Sequence, residues 1–125
     1  MKVSDLPPGP LLSVAPETTV AEVARLMRKD DSDSVAVMSE GRLVGIITER
    51  DLVRAIADGI DAKQVTAEVV MTSDPATVDA DEDVAMVAVK MVSLGVRHLP
   101  VVNRAGKPIG LVSARNLVGV LDRGT

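Results

Sequence analysis

Two sets of chemically capable residues recur at one spacing. Gly45, Thr48, Arg50 and Asp51 stand in VGIITERDLV, residues 44–53. Gly110, Ser113, Arg115 and Asn116 stand in IGLVSARNLV, residues 109–118, which is 65 positions further on. A glycine lets a backbone or a ligand approach closely. A hydroxyl residue that closes an apolar run and opens a helix sits beside free N–H groups and a partial positive charge. That end attracts an anion or a polar sugar. A carboxylate three residues on accepts two hydrogen bonds, which suits a ribose diol. The same residues also make an ordinary helix cap, worth about 1 kcal/mol, with Arg50 solvated. Both readings stand at this point.

The elements that carry these residues are duplicated too. Residues 20–27 match residues 84–91, and Val35-Ala36-Val37 matches Leu99-Pro100-Val101, at an offset of 64. The offset becomes 65 after the turn at Glu40-Gly41-Arg42, whose counterpart Arg104–Lys107 is one residue longer. Loops tolerate such an insertion. Thr19-x-x-Glu22 predicts a helix start, with positions 20, 23, 24 and 27 on one face. Ser34–Ser39 and Arg42–Ile47 are Val- and Ile-rich runs around a glycine turn and predict a buried hairpin. Thr48 then caps a second helix, which Gly59 follows. The second half predicts a helix over about 83–94 stopped by Gly95, strands near 98–103 and 108–112, and a last helix from Ser113 to about Leu121. Short segments near 11–14 and 76–78 add an edge strand to each half, and 61–71, with Thr66 as a cap, joins them. The reading is an α/β (α+β) chain of two β-α-β-β-α repeats, 1–60 and 61–125, closing one core together.

Composition bounds the function. The chain has 125 residues, 46% hydrophobic, with no Phe, Tyr or Trp. The core is therefore aliphatic, and no ring is present to stack single-stranded bases. The net charge of −4 opposes a phosphate backbone on average, so no nucleic acid partner is expected. The absence of Cys excludes disulfides, thiolate metal sites and a Cys nucleophile. No apolar run is long enough to span a membrane. The opening MKVSDLPPGPLL does not read as a signal peptide, which leaves the cytoplasm as the expected location. One His builds no metal site, no Ser–His–Asp arrangement can be argued, and the glycines form no phosphate-binding loop. No catalytic or metal site is expected, and the chain reads as a non-enzyme.

The G-h-h-[ST]-x-x-[DN] motif at the end of the third strand of each half resembles the CBS domain, named for cystathionine β-synthase. VVMTSDPATVDADEDV and GVRHLPVVN are also similar to the family. Two such repeats in tandem form a Bateman module, and the resemblance covers essentially the whole chain. It implies two pseudo-symmetric clefts between the halves that hold an adenosine ligand such as AMP, ADP or ATP, without an obligatory cofactor. It also implies a homodimer and regulation of an effector protein. Carried over residue by residue, one cleft joins Ile46, Thr48, Arg50 and Asp51 to Ala76, Arg97 and His98. The other joins Leu111, Ser113, Arg115 and Asn116 to Leu12, Asp33 and Ser34.

Asp33 aligns with Arg97, and Asp30 and Asp31 lie nearby. Like charge beside a phosphate is unfavourable. The Asp51 cleft is therefore expected to be primary and the Asn116 cleft weaker. If His98 meets a phosphate, binding weakens as rising pH removes the imidazolium. The competing class is a ligand-independent interaction or scaffolding module, using Leu52, Ile56, Leu117, Val118 and Leu121. Those residues equally suit an intramolecular core.

Overall fold

The computed structural model describes residues 1–6 and 11–123, with side-chain surroundings through Val120. The chain forms two compact units, Leu12–Pro75 and Met1–Leu11 with Ala76–Thr125.

In the unit of residues 12–75 the elements are β1 (Ser13–Val14), α1 (Val20–Lys29), β2 (Ser34–Ser39), β3 (Arg42–Thr48), α2 (Glu49–Ala57), α3 (Ala67–Val70) and β4 (Thr72–Ser73). The β-branched runs favour extended backbone that buries both faces. Glu40 and Gly41, both at positive φ (51° and 77°), form the two-residue turn that matches strand twist. β1 lies parallel to β2, while β2–β3 and β3–β4 are antiparallel, giving the order β1-β2-β3-β4. The core contains Val23, Met27, Val35, Val37, Ile47 and Ala67. Thr19 caps α1 by accepting from the Glu22 N–H at 3.3 Å, and Val20, Val23 and Met27 are buried. Ala24, expected on that face, is exposed. Thr66 precedes α3 without a side-chain cap bond.

The other unit holds β5 (Val78–Asp79), α4 (Val84–Leu94), β6 (His98–Val102), β7 (Pro108–Ser113) and α5 (Ala114–Arg123). β5 lies parallel to β6, and β6 is antiparallel to β7. Asp83 caps α4 by accepting from the Ala85 N–H at 3.2 Å, and Gly95 ends it at φ 69°. Its core contains Val3, Val78, Val84, Val87, Met91, Leu99, Val101, Val112 and Leu117. In the longer hairpin loop, Asn103 Oδ1 accepts from the N–H groups of Ala105 and Lys107 at 3.0 and 2.9 Å. This one-residue expansion is what moves the repeat offset from 64 to 65.

The units do not divide where the sequence repeats do, at 1–60 and 61–125. The leading segment of each repeat packs with the body of the other. Val3 N–H donates to Glu82 O (2.9 Å), Ser4 N–H to Ala80 O (2.9 Å), and Val84 N–H to Met1 O (2.9 Å). Sixty-four residues along, Ala67 N–H donates to Thr18 O (2.7 Å), Glu68 N–H to Pro16 O (3.1 Å), and Val20 N–H to Val65 O (2.9 Å). Val3 and Ala67 occupy matching buried positions. Each segment satisfies backbone groups that its partner strand and helix end would otherwise leave open.

Candidate functional site

The two hydroxyl–acid motifs fold into the same local structure. Thr48 ends β3 with extended backbone and caps α2. Asp51 Oδ2 accepts from Thr48 N–H at 2.9 Å and from its hydroxyl at 3.1 Å, while Asp51 N–H donates to Thr48 Oγ1 at 3.4 Å. In the second repeat Asn116 Oδ1 accepts from Ser113 N–H at 3.2 Å and from its hydroxyl at 2.8 Å. Asn116 N–H donates to Ser113 Oγ at 3.2 Å. The capping reading is therefore realised at both ends. It consumes one side-chain oxygen at each, because one oxygen takes both bonds. Asp51 Oδ1 and Asn116 Nδ2 make no hydrogen bond among the described residues.

Within each unit the hairpin brings a further pair to the motif. Antiparallel pairing sets Ser34 opposite Thr48 and His98 opposite Ser113. The first helical N–H groups are also occupied: Glu49 donates to Asp33 O at 3.1 Å, and Ala114 to Arg97 O at 2.8 Å. Asp33 and Ser34 thus adjoin Thr48 and Asp51, while Arg97 and His98 adjoin Ser113 and Asn116. Ile46 is buried in β3, Leu111 half-buried in β7, and Arg50, Arg97 and Arg115 are exposed. Leu12 accepts from Ala36 N–H at 2.9 Å beside β1, and Ala76 is exposed at the start of the other unit.

Met71 covers the first of the two motif glycines. A Cβ built on Gly45 falls 2.8 Å from Met71 Cγ and 3.0 Å from Met71 Cβ, and Gly45 itself is buried. β4 pairs along the same stretch, Gly45 with Ser73 and Ile46 with Thr72. Gly110 has no atom of the described residues within 4 Å of such a Cβ. It borders a cavity of about 420 Å³ walled by Val3, Ser4, Leu6, Ala80, Ile109 and Leu111, with Arg115, Asn116, Gly119 and Val120 on the helix side. Leu111, Arg115 and Asn116 were expected at a ligand. The leading segment's Val3, Ser4 and Leu6 were not, because pairing 1–6 with the later repeat is a tertiary event.

The duplicated motif, hairpin and helix caps match a known pattern over both repeats. The CBS domain family model matches residues 3–58 and again 65–123. The chain belongs to the CBS domain family. It is 38% identical over 122 residues to an uncharacterized 17.7 kDa protein of Acidianus ambivalens, covering 96% of this chain and 73% of that one. It is 34% identical over 107 residues to an inosine-5′-monophosphate dehydrogenase of Korarchaeum cryptofilum, covering 86% of this chain and 21% of the enzyme. The CBS domain pair of protein MJ0100, in complex with 5′-methylthioadenosine and S-adenosyl-L-methionine, superposes with a TM-score of 0.90 at 27% identity, covering 100% of this chain and 98% of that one. The CBS domain protein PAE2072 of Pyrobaculum aerophilum, complexed with AMP, gives 0.87 at 28% identity, covering 98% and 99%. In the last two of these proteins the CBS fold holds an adenosine ligand.

No group of His, Cys, Asp or Glu among the described residues is arranged to hold a metal ion. No described helix is long and apolar enough to cross a membrane.

Proposed function

We propose that this CBS pair is a regulatory module that binds an adenosine ligand at its duplicated strand–helix motif. The observation that carries the reading is the repeated cap itself. At each helix start a side-chain oxygen is fixed by two hydrogen bonds, and the remaining polar atom is left for a sugar. The AMP and S-adenosylmethionine complexes of similar CBS pairs support it. Thr48, Arg50 and Asp51, and Ser113, Arg115 and Asn116, are the proposed ribose and tail contacts. Ala76, Arg97 and His98 are proposed to complete the ligand's surroundings. The ligand acts by preferring one arrangement of the module, and its effect is bounded by that difference in affinity.

A thermal-shift panel of AMP, ADP, ATP, NAD, S-adenosylmethionine and 5′-methylthioadenosine tests the reading. A true ligand at a hundred times its dissociation constant stabilises by about 2.7 kcal/mol, which raises Tm by several degrees. A flat response across the panel rejects it.

The second reading is a ligand-independent interaction module acting as a homodimer. One observation favours it: α4 is largely apolar, Lys90 and Ser93 being its polar residues, with Met86, Val89 and Val92 exposed. A helix of that kind is usually covered on all sides. Of the residues expected on such a surface, Ile56 and Val118 are exposed, Leu52 is half-buried and Leu117 is core. The Leu121 side chain lies outside the described ones.

A further inference from the structure

We propose that Met71 is an oxidation site, at which a peroxide loosens β4 from β3 in the unit of residues 12–75. The inference is independent of the adenosine reading.

The six methionines of the chain divide by their surroundings. Met27 and Met91 are each 4% exposed in the cores of their units, out of reach of a dissolved oxidant. Met1 and Met86 are exposed, where a polar sulfur costs little. Met38 is half-buried at the bulge of β2, next to the hairpin turn. Met71 is half-buried and packs against the core of its unit, so it is both within reach and held in place.

Met71 also sits where added size and polarity act on backbone. Its sulfur lies nearest to the point where a Cβ on Gly45 would stand, ahead of its own Cγ at 2.8 Å and Cβ at 3.0 Å. The thioether therefore rests on the buried glycine of β3, in the room that a missing side chain leaves. The backbone around it is already paired. Gly45 pairs with Ser73 and Ile46 with Thr72, Asp74 N–H donates to Val44 O at 3.1 Å, and Met71 N–H donates to Ala67 O at 2.9 Å. The core that Met71 joins contains Val35, Ile47 and Ala67, whose side chains donate no hydrogen bond.

The reaction is a two-electron oxygen transfer. A sulfur lone pair attacks one peroxide oxygen, and the S–O bond forms as the O–O bond breaks. The other oxygen leaves as hydroxide and takes the proton of the transferred oxygen to become water. Sulfur is oxidised to the sulfoxide and the peroxide is reduced. The product is polar and one oxygen larger, and sulfoxide reductases reverse it. At Met71 it has neither room on the glycine face nor an open donor among these groups, and burying it unpaired is unfavourable. The side chain turns out to solvent. β4 is two residues long, so little else keeps it on β3. β3 runs on from Gly45 to Thr48, so the strand that frays leads into the Thr48–Asp51 cap.

Hydrogen peroxide treatment of the intact chain, read by peptide mass spectrometry, hydrogen exchange and melting, tests the inference. The peroxide is used in excess over that which fully converts an added methionine peptide. Met71 is expected to gain one oxygen while Met27 and Met91 do not. Exchange is expected to quicken at the N–H groups of Met71 and Asp74 and to stay unchanged at Ala114 in the other unit, and Tm is expected to fall by several degrees. Met71→Leu, close in volume and without a sulfur to oxidise, is expected to keep its Tm through the same treatment. Met71→Gln, which places a polar group at the same depth, is expected to show the quickened exchange without peroxide. Met71 left unmodified, a Met71 sulfoxide with unchanged exchange and Tm, or an equal peroxide loss in Met71→Leu overturns the inference.

Discussion

Thr48 and Asp51 hold each other reciprocally across the start of α2: Asp51 Oδ2 takes two hydrogen bonds from Thr48, and Thr48 Oγ1 takes one back. The cap is half-buried, whereas its copy at Ser113 and Asn116 is more exposed. Asp51→Ala is expected to cost about 1–2 kcal/mol and Asn116→Ala about 0.5–1 kcal/mol, since a cap sheltered from water loses more when its acceptor is removed. Asp51→Asn keeps an acceptor and is expected to recover most of the loss. Urea unfolding of the three variants measures this. Equal costs at both positions would show that burial does not set the strength of the cap.

The contact between Gly45 and Met71 makes a sharper prediction. Gly45→Ala forces a methyl into the methionine and is expected to destabilise by about 1–3 kcal/mol. Met71→Ala opens a small void and costs less than a fully buried methionine, because Met71 is only half-buried. The double variant is expected to be more stable than the sum of the singles predicts, by roughly 1 kcal/mol or more. Gly110→Ala, with no atom of the described residues within 4 Å of the new methyl, is expected to be close to neutral. Additive costs at Gly45 and Met71 in a double-mutant cycle would remove the steric account.

Much of this architecture was legible because it is local. Caps at Thr19, Thr48 and Ser113, the stop at Gly95, and short Val- and Ile-rich runs around a glycine turn set these elements to within a residue or two. The bulkier errors are tertiary. The sequence reading counts Met1–Leu6 within the first repeat, 1–60, yet Val3 is core to the unit that holds the body of the second. Nothing in the spacing of Lys2-Val3-Ser4 announces a partner more than seventy residues away. The neighbours of the motif were readable and were not used. In an antiparallel hairpin the first residue of one strand meets the last of the next, so Ser34 must face Thr48 and His98 must face Ser113. The covering of Gly45 by Met71 had no signal, because a methionine after a short helix is as consistent with exposure as with burial.

Val3 provides a test of the exchanged leading segments. It is 5% exposed in the core beside Val84, Val87 and Leu117, and its N–H closes on Glu82 O. Val3→Ala is expected to cost about 1–3 kcal/mol. Hydrogen exchange should quicken at the Val84 N–H, which donates to Met1 O, and stay unchanged at Val20 N–H in the other unit. Exchange that quickens equally in both units would mean that the segment is not tied to one of them.

Arg115 offers a test of charge at the Gly110 cavity. Its guanidinium is exposed, so its attraction for an anionic tail is screened and modest. Arg115→Ala is expected to weaken AMP about two- to fivefold and to leave the uncharged 5′-methylthioadenosine nearly unchanged. Raising salt should shrink the difference. A matching loss for both ligands would assign Arg115 a packing role through its aliphatic stem instead.

The exposed side of α4 makes the last prediction, for the proposed dimer. Met86, Val89 and Val92 are 61%, 59% and 84% exposed, and they follow one another at helical spacing. The equivalent helix α1 instead presents Glu22, Arg25 and Arg28 to solvent. One repeat has therefore kept a charged outer face while the other has an apolar one, which water disfavours by roughly 25 cal/mol for each Å² left uncovered. In the proposed dimer a second copy of the chain would cover such a face symmetrically, each α4 against its mate. Sedimentation velocity is expected to give a dimer for the unaltered protein and a monomer for Val89→Lys. The variant's own unfolding should change little, because Val89 is outside the core of its unit. A monomer before substitution, or a dimer that survives the lysine, would remove α4 from the interface and leave its apolar face to another partner.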